Sequence, residues 1–420
     1  MNLSEYSRSV LSEVDRQMEI ISRGTVDVLP LDEFRLKLAR SVRDNVPLRV
    51  KQGFDPTAPD IHLGHAVCIR KLKQFQDLGH KVILIVGDYT ALIGDPSGRS
   101  ATRPQLEYEQ ILKNAETYEE QFFKILDKSR TEVVHNGDWF KKLEFAEVMR
   151  LAAKYTVARI LERDDFAERF KAETPISVHE LLYPIMQAYD SVAIRADIEI
   201  GATEQKFNLL AGRTIQEAYG LEAQCILTMP VLVGLDGERR MSKSLGNYIG
   251  VDEPSREMFG KVMSIPDKLI EQYFILATDC SIEKLDDVTH RLKDGRTNPM
   301  ELKRELGIMI VDSYHPLGSG QAANEEFTRM FSEKELPDEM PEMGPADLQR
   351  LQLDPGKVYL VHLLTRANLA KSSSEARQLI EAGSVRLNGE RVNDQALEFA
   401  LDREMVLKVG KRRFLKLKPK

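Results

Sequence analysis

Cysteine is scarce and scattered in this chain. Cys68, Cys225 and Cys280 stand far apart among 420 residues. Their spacing matches no metal-ligand pattern and offers no disulfide framework, so three small buried hydrophobes in a reducing, cytoplasmic setting are expected. Long apolar runs are missing as well. No stretch approaches the ~18–20 residues that a membrane span needs, and Met1 to Val10 lacks the apolar centre of a secretory leader. No membrane partner is expected. The chain contains neither GxxxxGK[ST] nor GxGxxG, so a nucleotide site in it would be neither a P-loop nor a dinucleotide site.

Composition is otherwise that of a soluble globular protein, 42% hydrophobic and 30% charged. The length predicts two to four domains. The net charge of −7 is unevenly spread. Lys357–Lys420 holds fourteen basic and seven acidic residues, a surplus of seven, which leaves the rest at −14. A basic module on an acidic body fits a nucleic-acid partner as well as it fits a solvated charged surface.

Residues 1–35 read as a helical N-terminal extension. Leu48 to Gly53 predicts a short strand, and the prolines and aspartates of Asp55 to Asp60 end it. Cys68, Leu72, Phe75 and Leu78 then fall on one helical face, with Gly79 as the cap. Val82 to Val86 is an unbroken β-prone run, as in a parallel strand buried on both faces. Strand, turn, helix and strand make a βαβ unit, hence an α/β class with a Rossmann-like parallel sheet. Cys225 to Met229 is a further strand candidate. The resulting division is a catalytic domain over 36–250 with a helical insertion at about 100–195, then an α-helical domain over 251–335. A proline-rich acidic linker follows over 336–356, then a small α+β module over 357–420 with a hairpin at Asn388-Gly389.

Two short motifs suggest chemistry. His62-Leu63-Gly64-His65 sits where a loop hands over to a helix. Free N–H groups and the positive dipole end there favour phosphate, and two imidazoles add donors. Gly64 allows close backbone approach. A zinc site lacks a third ligand nearby. Taken alone, two surface histidines capping a helix is the plainer reading. Arg240-Met241-Ser242-Lys243-Ser244, between Gly237 and Gly246-Asn247, reads as a mobile loop. Its cations suit closure on a triphosphate and stabilisation of departing pyrophosphate. The glycine-rich run Gly87 to Arg99 follows the buried strand, where ligands of open α/β sheets bind, and its Asp95 suits an ammonium group. No nucleophile–base pair is evident, which favours a substrate that supplies its own nucleophile, such as a carboxylate attacking an α-phosphate.

With these residues in view, HLGH and RMSKS resemble the two signature motifs of class I aminoacyl-tRNA synthetases. Gly53-Phe54-Asp55-Pro56-Thr57-Ala58-Pro59-Asp60-Ile61-His62-Leu63-Gly64-His65, Ile93-Gly94-Asp95-Pro96-Ser97-Gly98-Arg99 and Tyr183-Pro184-Ile185-Met186-Gln187-Ala188-Tyr189-Asp190 resemble the tyrosyl-tRNA synthetase family. RMSKS resembles its second bacterial subtype. The last segment is similar to an RNA-binding module shared with a small-subunit ribosomal protein.

The resemblance implies site roles. His62 and His65 would contact ATP phosphates, with Asp55, Thr57, Gly64 and Glu204 also beside the nucleotide and Met241, Ser242 and Ser244 alongside Lys243. Arg99, Arg103, Arg240 and Lys243 would stabilise pyrophosphate. Thr90, Asp95, Tyr183 and Gln187 would hold the tyrosine ammonium, Asp190 its phenol, and Gln205 the aminoacyl group. ATP with Mg²⁺, tyrosine and tRNA(Tyr) would be the ligands. A homodimer through the inserted segment would be the assembly, with no resident protein-bound metal. Three positions depart from the family pattern: Glu204 for Asp, Ala202 for Gly, and Lys51 where many members carry a tyrosine. Alternatives from other classes are a catalytically silent RNA-binding paralogue and a ligase with altered aromatic selectivity. His62, His65, Asp95 and Lys243 are all present, which argues against the first.

Overall fold

In a computed structural model of the chain, residues 3–56, 61–95, 107–330, 340–410 and 413–419 are described. The chain divides into two compact units, residues 1–324 and 325–420.

The first unit is built on six strands: β1 (Asp27–Leu29), β2 (Arg49–Phe54), β3 (Lys81–Val86), β4 (Thr131–His135), β5 (Ile198–Ala202) and β6 (Cys225–Met229). Their order is β1-β6-β5-β2-β3-β4, all parallel except β1, which runs antiparallel to β6. Val82–Val86 of β3 and all of β6 are buried, as expected of central strands covered on both faces. The chain runs outward from β2 through β3 to β4, then returns to β5 on the other side of β2. That reversal opens a crevice at the carboxyl ends of β2 and β5. The Leu63–Asp77 helix crosses from β2 to β3 and ends with Gly79 at φ +90°, the left-handed cap expected there.

Several expected boundaries shift. Residues 1–35 are not only helical, because β1 joins the sheet edge through Asp27↔Thr228. Three half-buried residues carry too little pattern to announce a strand. The supposed helical insertion contributes β4, whose Thr-Glu-Val-Val-His is an edge strand and correspondingly polar. β5 was not anticipated, since Glu199 interrupts its apolar run. Most of the helices after 251 fall in the same compact unit as the sheet, and the Tyr273 hydroxyl donates to Val233 O at 2.7 Å.

In the second unit, β7 (Glu342–Met343), β8 (Val358–Tyr359), β9 (Val385–Leu387), β10 (Glu390–Arg391), β11 (Glu398–Phe399), β12 (Met405–Val409) and β13 (Arg413–Leu417) form one five-stranded sheet, β10-β9-β12-β13-β7, and a β8–β11 pair. Asn388 and Gly389, at φ +51° and +85°, make the expected hairpin turn. The proline-rich stretch read as a linker belongs partly to this unit. β7 pairs with β13, and Leu348 and Leu353 are buried in its core with Leu363, Leu364 and Ile380. Proline fits there because Pro345 opens the Pro345–Arg350 helix at its first turn, where no N–H is needed. The three cysteines are free and buried. Among the described residues no helix is long and apolar enough to cross a membrane.

Candidate active site

A cleft of about 580 Å³ lies at the carboxyl ends of β2, β3, β5 and β6. It collects all but three of the residues singled out from the sequence: Asp55, His62, Gly64, His65, Thr90, Asp95, Tyr183, Gln187, Asp190, Glu204, Gln205, Arg240, Met241, Ser242, Lys243 and Ser244. Thr57, Arg99 and Arg103 lie outside the described residues.

His62 caps the Leu63–Asp77 helix, its Nδ1 accepting from Gly64 N at 3.1 Å. With Nδ1 an acceptor, the ring proton of the neutral form resides on Nε2. The His62 and His65 rings stack with centroids 3.9 Å apart. Burial, then His65 and Lys243, push the His62 pKa down to about 2. His65 keeps part of its surface in solvent, and burial of the rest, then Lys243, lowers it to about 4. Both rings are therefore neutral hydrogen-bond donors near neutral pH. A side chain at Gly64 would meet the His62 ring at 2.9 Å, so glycine is required for the stack.

The second motif is tied to the first through the backbone. Leu63 N donates to Ile249 O at 2.9 Å and Val251 N to Ile61 O at 3.1 Å, forming an antiparallel bridge between His62 and Gly250. The expectation of a loose loop at Arg240–Ser244 missed its anchor. Buried Asn247 accepts from Ser242 N at 2.8 Å and donates to Asp236 at 2.9 Å and to Arg240 O at 3.1 Å. Met241 N donates to Leu232 O at 2.8 Å, closing the hairpin. Arg240 meets Glu204 across the cleft mouth at 2.9 Å.

Deeper in, Asp55 ties the two halves together. Its Oδ1 accepts from Thr90 Oγ1 at 2.7 Å and its Oδ2 from the Tyr183 hydroxyl at 2.8 Å. A Cβ at Gly87 would lie 2.2 Å from the Asp55 carboxylate, so glycine at the end of β3 is what lets this carboxylate in. Tyr183, Gln187 and Asp190 share one face of the Val178–Ala193 helix at spacings of four and three. Asp95 accepts from Gln205 at 3.4 Å and lies 3.6 Å from Arg163. Gln205 in turn accepts from Ala202 N at 3.1 Å.

Asp190 is 3% exposed, far below any helix-surface carboxylate. Burial is the largest influence on its pKa and raises it to about 7, against the opposing pull of Lys51, Trp139 and Asn136. Trp139 Nε1 donates to Oδ1 at 3.0 Å, and Asn136 Nδ2 lies 3.4 Å from Oδ2 and 3.1 Å from Thr90 Oγ1. Neither Trp139 nor Asn136 was anticipated, nor were Arg163, Asn208, Asn247 and the Lys51–Glu199 pair as parts of the site. The available signal was polar residues inside apolar strands, as in Val50-Lys51-Gln52 and Ile198-Glu199-Ile200.

Comparison with known proteins fits this geometry. The family model for tRNA synthetases class I (W and Y) matches residues 43–332, and that for the S4 domain matches 360–399. The tyrosine–tRNA ligase of Carboxydothermus hydrogenoformans is 52% identical over 409 residues, covering 97% of this chain and 98% of that one. That of Thermotoga maritima is 48% identical over 403 residues, covering 96% and 97%. Among solved structures, the tyrosyl-tRNA synthetase of Archaeoglobus fulgidus complexed with L-tyrosine superposes with a TM-score of 0.59 at 23% identity. It covers 74% of this chain and 99% of that one, a likeness of fold. The chain belongs to the class I tRNA synthetases of the tryptophan and tyrosine group. Within that group its family is that of the tyrosine–tRNA ligases.

Proposed function

We propose that this cleft performs both steps of tyrosine–tRNA ligation, with roles divided by depth. In the first step the tyrosine carboxylate attacks the α-phosphate of ATP, and pyrophosphate leaves. In the second, a ribose hydroxyl at the 3′ end of tRNA(Tyr) attacks the tyrosyl carbonyl, and AMP leaves. The observation that carries the reading is the buried Asp190 carboxylate on one helix face with Tyr183 and Gln187, opposite the clasp of His62, His65 and Lys243.

Tyr183, Gln187, Thr90 and Asp95 receive the ammonium, and Asp190 accepts the phenolic proton's hydrogen bond. A phenylalanine would leave that buried acceptor unmatched, which costs about 1–3 kcal/mol or more. His62 and His65 donate Nε2–H to phosphate oxygens, and as neutral groups they carry no charge that binds ground-state ATP tightly. Arg240 and Lys243, with Arg99 and Arg103, neutralise the pyrophosphate as it leaves. Asp55, Thr57, Gly64, Glu204, Met241, Ser242 and Ser244 line the nucleotide, and Gln205 the aminoacyl group. Magnesium arrives with the triphosphate as part of the substrate.

The 357–420 segment binds tRNA in this reading, supported by its positive surplus and its S4-domain match, and the helices of 251–335 face the anticodon side. Phe145, Met149, Val157, Phe170 and Val178 expose 78, 57, 58, 65 and 78% of their surface, which supports a homodimer formed through this inserted region. The protein works in the cytoplasm. Pyrophosphate exchange driven by each amino acid in turn tests the reading: tyrosine alone should drive it, and equal exchange with phenylalanine would overturn it.

A further inference from the structure

Beneath the amino-acid end of the cleft lies a buried ion pair that the roles above do not use. Lys51 on β2 and Glu199 on β5 are direct register partners in neighbouring parallel strands. Both side chains are 1% exposed, and Lys51 Nζ lies 3.1 Å from Glu199 Oε1. A pair buried this deeply gains little net stability over an apolar one, so its presence invites a role in the site.

Its contacts point to one. Glu199 Oε1 also accepts from Gln187 Nε2 at 2.9 Å, while Gln187 Oε1 accepts from Asn208 Nδ2 at 2.9 Å. The Gln187 amide is thus held the one way round that offers a remaining oxygen lone pair to a cation. Lys51 Nζ further donates to the Gln187 main-chain oxygen at 3.2 Å. That carbonyl belongs to the helix turn that carries Asp190. Lys51 is the strongest influence favouring the Asp190 carboxylate, and Glu199 works against it.

Resting on the ligase reading above, we propose that Lys51 and Glu199 are positioning residues for tyrosine, the pair fixing the Gln187 amide for the ammonium and setting the charge that Asp190 presents to the phenol. Around Asp190 the charged groups are Lys51 from β2 and Glu199 from β5. The Asn136–Phe140 segment offers the neutral donors Asn136 and Trp139. Gln187 and Ser191 on its own helix are neutral. Asp55 is joined to it through Thr90 and Asn136, and Asp88 to the Asn136–Phe140 segment through Gly137 N.

The two charges act on Asp190 in opposite directions, which gives the test. KM for tyrosine, KM for ATP and kcat are measured by pyrophosphate exchange across pH 6 to 9 on the full chain and on Lys51→Met, Glu199→Gln and the double variant, each checked by thermal melting. In the parent, KM for tyrosine should rise as pH falls through the Asp190 midpoint at about 7. Lys51→Met should move that midpoint up, and raise KM for tyrosine about fivefold at pH 7 if the move is about one pH unit. Glu199→Gln should move it down, and the double variant should return toward the parent. KM for ATP and kcat should stay within about twofold throughout, since a pair that acts on ground-state tyrosine binding changes KM rather than kcat. Should Lys51→Met not fold, Glu199→Gln and the double variant still carry the comparison. Shifts of the same sign in both single variants, or an unchanged midpoint in Glu199→Gln, would overturn the proposal. A parent that does not use tyrosine would instead overturn the ligase reading.

Discussion

Arg240 places one guanidinium nitrogen 3.0 and 2.9 Å from the two carboxylate oxygens of Glu204, so a departure from the family's pattern faces the first cation of the RMSKS loop across the cleft. The side chains are 40 and 38% exposed, and such a pair contributes about 0–1 kcal/mol. It is weak enough for ATP to displace.

Glu204→Asp shortens the reach to Arg240 by one methylene and restores the family's usual residue. It should leave tyrosine binding unchanged and leave KM for ATP unchanged or lower. Titrating ATP in pyrophosphate exchange reads this directly; a collapse of activity would mean that the nucleotide wall has been rebuilt around glutamate.

Removing the His62 imidazole should slow adenylate formation on the order of 10²–10³-fold, the usual effect of losing one transition-state donor. Tyrosine affinity should hold, because the ring lies at the phosphate end. His62→Ala also removes a helix cap, so melting should drop by an amount equivalent to about 1 kcal/mol. Single-turnover burst rates and tyrosine binding, measured on the same preparation, separate the two effects.

Acid should destabilise the fold before most of its carboxylates titrate. Burial depresses His62 to about 2 and His80 to about 4, both below their ordinary 6.5. Groups so depressed lend stability above 6.5 that is progressively lost as pH falls toward those values. Asp190 has the opposite sign, being raised to about 7, and regains stability over part of the same range. With His65, also lowered to about 4, three histidines stand against one carboxyl and leave a net loss. Melting temperature should fall between pH 6.5 and 4.5, and less steeply in His80→Gln, which lies outside the cleft. Parallel slopes in parent and variant would exclude His80 as a cause.

Ending the chain after Met330 should spare adenylate formation and weaken tRNA charging. The cut belongs there rather than at 357, because Leu348 and Leu353 are core residues of the second unit and would be stranded. Comparing exchange with aminoacylation tests it; intact charging would remove the segment from tRNA binding.

What the sequence revealed was local. Val82–Val86, the helix after His62 and the Asn388-Gly389 turn each carry their whole signal within a few residues. β1, β4 and β5 did not, being short, at an edge, or interrupted by a charge that only tertiary pairing satisfies. The site divides the same way. Residues inside contiguous motifs were found, whereas Asn136 and Trp139 act on Asp190 from elsewhere in the chain, and Asn247 stood in the sequence only as a flank of the loop it anchors. Lys51 and Glu199 look out of place one at a time and make sense only as register partners.

The bridge between His62 and Gly250 also bears on how the protein is born. A growing chain presents both histidines early, but Ile249–Val251 reach them only after residue 251 is made. At ~5–20 residues per second that delay is roughly 10–40 s. β6 arrives late as well, and without it β1 has no neighbour in the sheet. A chain shorter than 251 residues therefore lacks one or both of the backbone hydrogen bonds that join the two motifs.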